Sequence, residues 1–358
     1  TLSKYLQSEA GGKLRIINFP SENMAIVRYV KGQSDMTREH VRLFRSVVWN
    51  TQTNRPVCVA PVKAEPTNVR PPEKGKFWVS EFVDGVMINI FRNGDAAPQI
   101  ATRTNLGGNN SFYTNKSFAE MFREATPDDI SWKDILHPNS FVSCVLQHPD
   151  HKVVTQIRAP RIVVTHSGSV DANGNVTILV TPQSSLRGLA PFHFSNYNVT
   201  VSPNFRSFKV KGHIVQDLNS YHRYRFMNED YEKVRSLRGA ESDSVHRFMR
   251  LRKDGNIKEY LQYFRDESQE LWDYEQELRE KTHKLYEAYC EVNKTKTKTM
   301  KDIPIPFRTP VYKLQGQYLA SLPKPEEKDK QPVPVRKETV VAFVNALTVE
   351  EQAGIMRA

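Results

Sequence analysis

At 358 residues and 41.2 kDa the chain has room for two compact units and a tail, and with 39% hydrophobic and 10% aromatic residues it can fill a core, which excludes wholesale disorder. No apolar run approaches the roughly 20 residues of a membrane helix, and the opening TLSKYLQSEAGGKLR has no apolar signal-peptide core, so a soluble protein without membrane contact is expected. The balance of 51 Lys+Arg against 40 Asp+Glu favours a polyanionic partner, while three widely spaced cysteines, Cys58, Cys144 and Cys290, with no CxxC pair, point to a reducing compartment and away from structural zinc or a disulfide scaffold.

From Leu14 to about Val201 short β segments follow one another: LRIINF, AIVRYV, RSVVWN, PVCVAPV, FWVSEFV, GVMINIF, QIATRT, SFVSCVLQ, KVVTQIR, RIVVTH, VTILVT and NVTVS. Turn signals bound several of them, and DANGN between IVVTHSGSV and VTILVT predicts a hairpin, because Asn and Gly tolerate the positive φ of a tight turn. A few helices interrupt the series, TREHVRLF and NKSFAEMFREA foremost. Strands that do not alternate with helices exclude a doubly wound parallel sheet and predict an α+β domain of mostly antiparallel sheets over residues 1–222.

After Tyr221 the pattern turns helical, and a helical domain is expected over 223–300, with Leu271, Tyr274, Leu278, Leu285 and Tyr289 forming one apolar stripe. A basic, Pro-rich tail over 301–358 is expected to run extended from Ile303 to Val335 and to close with one helix, ETVVAFVNALTVEEQAGIM, docked through Val341, Phe343, Val344 and Leu347. Residues 223–253 hold nine Lys/Arg against five Asp/Glu, and residues 294–337 hold eleven against four, which accounts for the whole net charge of +11. Each segment is either a solvated face or a contact for nucleic acid or acidic protein.

The sequence has no GxxxxGK[ST] loop, HExxH or GxSxG. His148, His151 and His166 lie beside turns without spaced Cys or carboxylate partners, so no metal site is expected. Read in order, LFRSVVWN, WVSEFVDGVMINIF, IATRTNLG, SFVSCVLQHPDHKVV and SFKVKGHIVQDLNSYH resemble the covalent nucleotidyltransferases, specifically the phage-type ATP-dependent RNA ligases and the ligase-like proteins of large eukaryotic DNA viruses. The resemblance covers most of residues 1–300. It implies an antiparallel-sheet nucleotidyltransferase domain with a helical appendage, in which a lysine of a K-x-D-G segment attacks the α-phosphate of ATP to give lysyl-AMP.

The resemblance fails at the chemistry. SEFVDG fits the nucleophile segment at Asp84 and Gly85, yet the lysine position is Phe82, which has no nucleophilic atom. Lys74 and Lys76 lie upstream, but with a rise of about 3.3 Å per residue Lys76 would stand some ~20 Å from that position. Cys144 and Val145 occupy the positions where an aromatic residue and a glutamate would contact the nucleoside, and Arg187-Gly188 stands where a metal-binding glutamate-glycine would be. An arginine there would repel Mg²⁺.

Other positions persist. Lys209 and Lys211 match the K-x-K lysines that contact the triphosphate, and Arg45 and Arg103 match basic positions near the nucleotide. On a strand Lys209 and Lys211 would share one face, as a phosphate wall or as guards of a sheet edge, and Asp84-Gly85 is equally an ordinary strand-joining turn. Tyr221, Tyr224 and Phe226 among His222, Arg223 and Arg225 either stack bases or bury themselves along a helix, and Arg223, Arg225, Arg235 and Arg238 form the candidate nucleic-acid surface. The expectation is a catalytically inactive RNA-ligase-like protein that binds RNA, another polyanion or neighbouring subunits through its tail. It would reside in the cytoplasm, or in a virion if viral, and need no cofactor. The alternatives are an active ligase using ATP, Mg²⁺ and another lysine, and a non-catalytic nucleic-acid-binding module.

Overall fold

The computed structural model describes residues 2–67, 77–128, 130–179, 193–194, 207–218, 222–323 and 331–358. The strands VTILVT (in part) and NVTVS, and Lys74, Lys76, Arg187, Gly188 and Tyr221, lie outside the described residues. The chain forms two compact units, Thr1–Arg235 and Ser236–Ala358.

The first unit is α+β. It opens with helix α1 (Leu2–Gln7), strands β1 (Arg15–Phe19) and β2 (Met24–Arg28), helix α2 (Glu39–Leu43) and strands β3 (Val47–Asn50) and β4 (Arg55–Val59). Strands β5 (Glu65–Pro66), β6 (Phe77–Glu81), β7 (Val86–Phe91) and β8 (Gln99–Ala101) follow, then helices α3 (Phe118–Ala125) and α4 (Trp132–Ile135). Strands β9 (Ser140–Gln147), β10 (Arg161–Val170), β11 (Val176–Leu179), β12 (His193–Phe194), β13 (Gly212–Asp217) and β14 (Arg223–Met227) complete the sheets before helix α5 (Glu229–Arg238), which crosses the unit boundary. The sheets run β1-β2-β3-β4, β11-β10-β9-β7-β8 and β12-β6-β13-β14-β5, antiparallel throughout except for the pair β14·β5.

Local chemistry explains the elements that the sequence announces. Ser117 and Glu120 close a reciprocal capping box at the start of α3. Asp171 takes the backbone N–H groups of Asn173 and Asn175 on its Oδ1, with Gly174 at φ +85°, and so makes the β10–β11 hairpin. The central strands are buried on both faces and read as nearly continuous apolar runs. Val142, Cys144 and Leu146 of β9 join Ile88, Ile90 and the α3 residues Met121 and Phe122 in one core; Phe141 and Phe91 turn the other way, onto Ile26, Val48 and Cys58 of the first sheet.

Within the first unit three expectations are corrected. KVVTQIR forms no strand; backbone N–H groups from this stretch turn to the carboxylate of Asp84. Ser207–Lys211 is a turn rather than a strand, closed by Val210 N–H on the carbonyl of Ser207, so alternation does not govern Lys209 and Lys211. The helical texture starts only at Glu229, because Arg223–Met227 pairs with β13.

The second unit is helical: α6 (Ser244–Lys253), α7 (Ile257–Tyr263), α8 (Ser268–Tyr289), α9 (Ile305–Ser321), α10 (Lys337–Ala346) and α11 (Val349–Met356). The predicted stripe holds, with Leu271, Leu278, Leu285 and Tyr289 buried along α8. Residues 305–321 are a helix rather than extended chain. Phe307, Pro310, Val311 and Leu314 fall on one buried face, and that burial outweighs the hydrogen bond lost at Pro310. The closing segment is two helices, since Thr348 and Glu351 form a capping box that starts α11. In α10 it is Val340, not the exposed Val341, that packs with Phe343 and Val344. Lys294 and Lys253 donate to the carbonyls of Val335 and Leu347, which folds the tail onto helices of its own unit. No described helix is long and apolar enough to cross a membrane.

Candidate phosphate-binding pocket

A cleft in the first unit is walled by β6, the β6–β7 turn, β9, β10, β13 and β14. Its apolar floor is Val83, Val145, Val163 and Met87. Three cations reach it: Arg45 from the segment before β3, Lys211 from the turn before β13, and Arg223 at the start of β14. Phe82 lies in the wall, and the Nζ of Lys211 stands 4.2 Å from the centre of its ring, a cation–π contact.

Asp84 anchors this arrangement. It is 5% exposed. Its Oδ1 accepts from the hydroxyl of Tyr231 at 2.7 Å and lies 3.5 Å from Lys211 Nζ, while Oδ2 accepts from the N–H groups of Val154 at 3.2 Å and Thr155 at 3.3 Å. Burial and the neighbouring carboxylate hold the Tyr231 phenol far above its usual range, so it donates. Gly85 follows at φ +146°, where an added Cβ would run into the carbonyl of Leu146 and lie 2.8 Å from Cγ1 of Val145. The Asp-Gly pair is thus both a strand-joining turn and the buried base of the cleft.

Burial and mutual repulsion act against every cation here. Burial lowers the pKa of Lys211 and Asp84 opposes it, with Arg45 and Arg235 adding to the lowering. Burial, with the guanidinium of Arg45 beside it, pushes Arg223 down to about 9. Arg223 is 8% exposed; it donates to the carbonyl of Val62 at 2.8 Å, and its Nε has no hydrogen-bond partner. Burial raises the pKa of Glu81, the pocket's other carboxyl group, which favours its neutral form. Buried cations short of counter-charge are costly, and an anion in the cleft would relieve that cost.

His166 completes the wall. It is 5% exposed, shares a 3.1 Å hydrogen bond with Gln216 Oε1, and is pushed down to about 3 from 6.5 by burial first and then by Arg223 and Arg45. The folded protein therefore excludes a proton that the unfolded chain binds between pH 6.5 and about 3. Stability from this group is expected to be full above pH 6.5 and to fall on acidification, with a slope approaching about 1.4 kcal/mol per pH unit. Urea unfolding at pH 7, 6, 5 and 4 would measure it, and His166→Gln should flatten the slope; an unchanged slope would dismiss His166 as its source.

Of the residues singled out from sequence, Arg45, Phe82, Asp84, Gly85, Val145, Lys211 and Arg223 meet around this cleft. Arg103 stands beside it, donating to the carbonyls of Tyr29 at 2.8 Å and Arg45 at 3.4 Å. Lys209 is exposed and not in the wall, and Cys144 faces the α3 core. The nucleic-acid surface is corrected at two positions. Arg223 is a buried pocket residue, and Arg238, in the second unit, is buried in an ion pair with Glu267 and a hydrogen bond to Tyr260, which leaves no guanidinium to meet a phosphate. Arg225 is half-buried on β14, and Arg235 stands near enough to Lys211 to influence it. The wall residues His166, Gln216 and Glu81 carry no sequence signal. A bulge between Val164 and His166 breaks the alternation of β10 and turns His166 into the cleft.

No protein-family model matches the chain, and no curated protein matches it by sequence. Among solved structures it is similar to an archaeal ATP-dependent RNA ligase, form 1, at 12% identity and a TM-score of 0.41, over 76% of this chain and 74% of that one. A likeness at that score assigns no activity.

Proposed function

We propose that this chain is an RNA-ligase-like protein whose first unit holds a phosphate-bearing ligand, such as a nucleotide or an RNA end, without forming a covalent bond to it. The observation that carries this reading is the joint placement of Phe82, Arg45, Lys211 and Arg223 around one cleft. The cations supply what an anion needs, and phenylalanine stands where the resemblance expects the attacking amine. Incubation of the protein with α-labelled ATP and Mg²⁺ is expected to leave no label after denaturation, although ATP itself binds; a denaturation-resistant label would refute the reading.

One observation favours the active-ligase alternative. The amine of Lys211 lies over the Phe82 ring with its pKa lowered by burial. In that reading Lys211 Nζ attacks the α-phosphorus, a P–N bond forms, the bond to the β-phosphate oxygen breaks, pyrophosphate leaves and the amine proton passes to water. Peptide mapping decides, since AMP on Lys211 would establish the alternative. A part in an assembly, as a virion component or otherwise, has one support, the exposed Ile305, Tyr312 and Leu319 at seven-residue spacing on α9, which suits pairing with a second copy. A sedimentation coefficient that stays monomeric at high concentration would remove that support.

A further inference from the structure

The basic character of the cleft continues beyond its mouth. Tyr29, just after β2, carries two cations on its ring, with Arg103 Cζ at 4.6 Å and Lys63 Nζ at 5.3 Å from the centroid. Arg225 follows Arg223 two residues along β14, and the Nε atoms of both Arg225 and Arg28 are buried without a hydrogen-bond partner. Burial lowers the pKa of Arg45, with Arg103 and Arg225 adding to it, and burial lowers that of Lys63, with Arg225, Lys31, Arg103 and Arg42 adding to it. Among the described residues Arg28, Arg45, Lys63, Arg103 and Arg225 make no ion pair; the nearby Glu65 is taken by Arg42. A run of cations held together without carboxylates is a site waiting for several negative charges.

Among the described residues the cleft offers a divalent cation few carboxylates. Both oxygens of Asp84 are occupied by Tyr231, Lys211 and two backbone N–H groups, which leaves the half-buried Glu81 as a single carboxylate in the lining. Among the described residues no group of three or more His, Cys, Asp or Glu could hold a metal ion. The Mg²⁺ that adenylyl transfer would require does not fit this set.

We propose that the cleft and the wall from Arg45 to Lys63 bind a ligand with several phosphates in a row, and bind it without a divalent cation. This rests on the phosphate-binding reading of the cleft and adds the ligand's class and the source of its counter-charge. The side chains neutralise the phosphates, so a chelated Mg²⁺ would bring positive charge into a site already crowded with it.

Calorimetric titration of the full chain with tripolyphosphate, ATP and orthophosphate, each in EDTA and in excess Mg²⁺, tests this. Tripolyphosphate is expected to bind in EDTA and to weaken about tenfold or more in Mg²⁺. The paired substitutions Lys63→Gln and Arg225→Gln should weaken tripolyphosphate about tenfold and leave orthophosphate unchanged, with the heat-unfolding midpoint reporting that the variant is folded. Binding that needs or tightens with Mg²⁺, or a folded variant with unaltered affinity for tripolyphosphate, would overturn the inference while leaving the cleft a phosphate site. No binding of any of the three in either condition would remove the cleft reading and this one together.

Discussion

Replacing Asp84 by alanine is expected to cost about 3–5 kcal/mol of stability, the range for breaking a buried charge pair from one side. The substitution leaves the Tyr231 hydroxyl and the N–H groups of Val154 and Thr155 without their acceptor, and Lys211 without its counter-ion. Tyr231→Phe removes a single hydrogen bond to the same carboxylate and should cost only about 1–3 kcal/mol. Urea unfolding followed by tryptophan emission would report both, because Trp49, Trp78 and Trp132 lie in the first unit and only Trp272 in the second. An Asp84→Ala loss below that of Tyr231→Phe would show that the carboxylate is not the anchor described above.

Lys211→Met is expected to weaken ATP or tripolyphosphate binding by about ten- to a hundredfold, the equivalent of one charge-assisted hydrogen bond. Lys209→Ala should change it little. The sequence pattern treats the two lysines as a pair, whereas the fold sends only Lys211 into the cleft and leaves Lys209 exposed. Equal losses in the two variants would restore the paired reading, and calorimetry on both, checked by circular dichroism for folding, separates the outcomes.

Elements fixed by neighbouring residues are legible in this sequence, and those fixed by tertiary contacts are not. The hairpin at Asp171–Asn175 and the start of α3 were legible because the residues that make them lie within four positions of one another. Arg45, Phe82, Asp84 and Lys211 were legible as candidates through the order of their segments, although nothing in their spacing could say that Lys211 would sit over Phe82. His166 was not, since a bulge moves it off the alternation of its own strand. The sequence places Arg238 on the surface because its partners, Tyr260 and Glu267, are 22 and 29 residues away. Pro310 argued against a helix that packing nonetheless supports. At Arg238 a contact distant in sequence overrode a neighbourly preference.

The bond between Tyr231 and Asp84 joins residues 147 positions apart. During synthesis the base of the cleft is therefore unfinished until nearly the whole first unit has emerged, and closing so long a loop is slow relative to forming the hairpin at Asp171. A fragment ending at residue 222, where the strand-rich composition stops, would keep Arg45 and Lys211 but would lack Arg223 with the rest of β14, and the hydroxyl that Asp84 accepts from. Such a fragment would carry a buried carboxylate short of one donor and β13 without its neighbouring strand, so a fragment meant to keep the base of the cleft must extend past Tyr231.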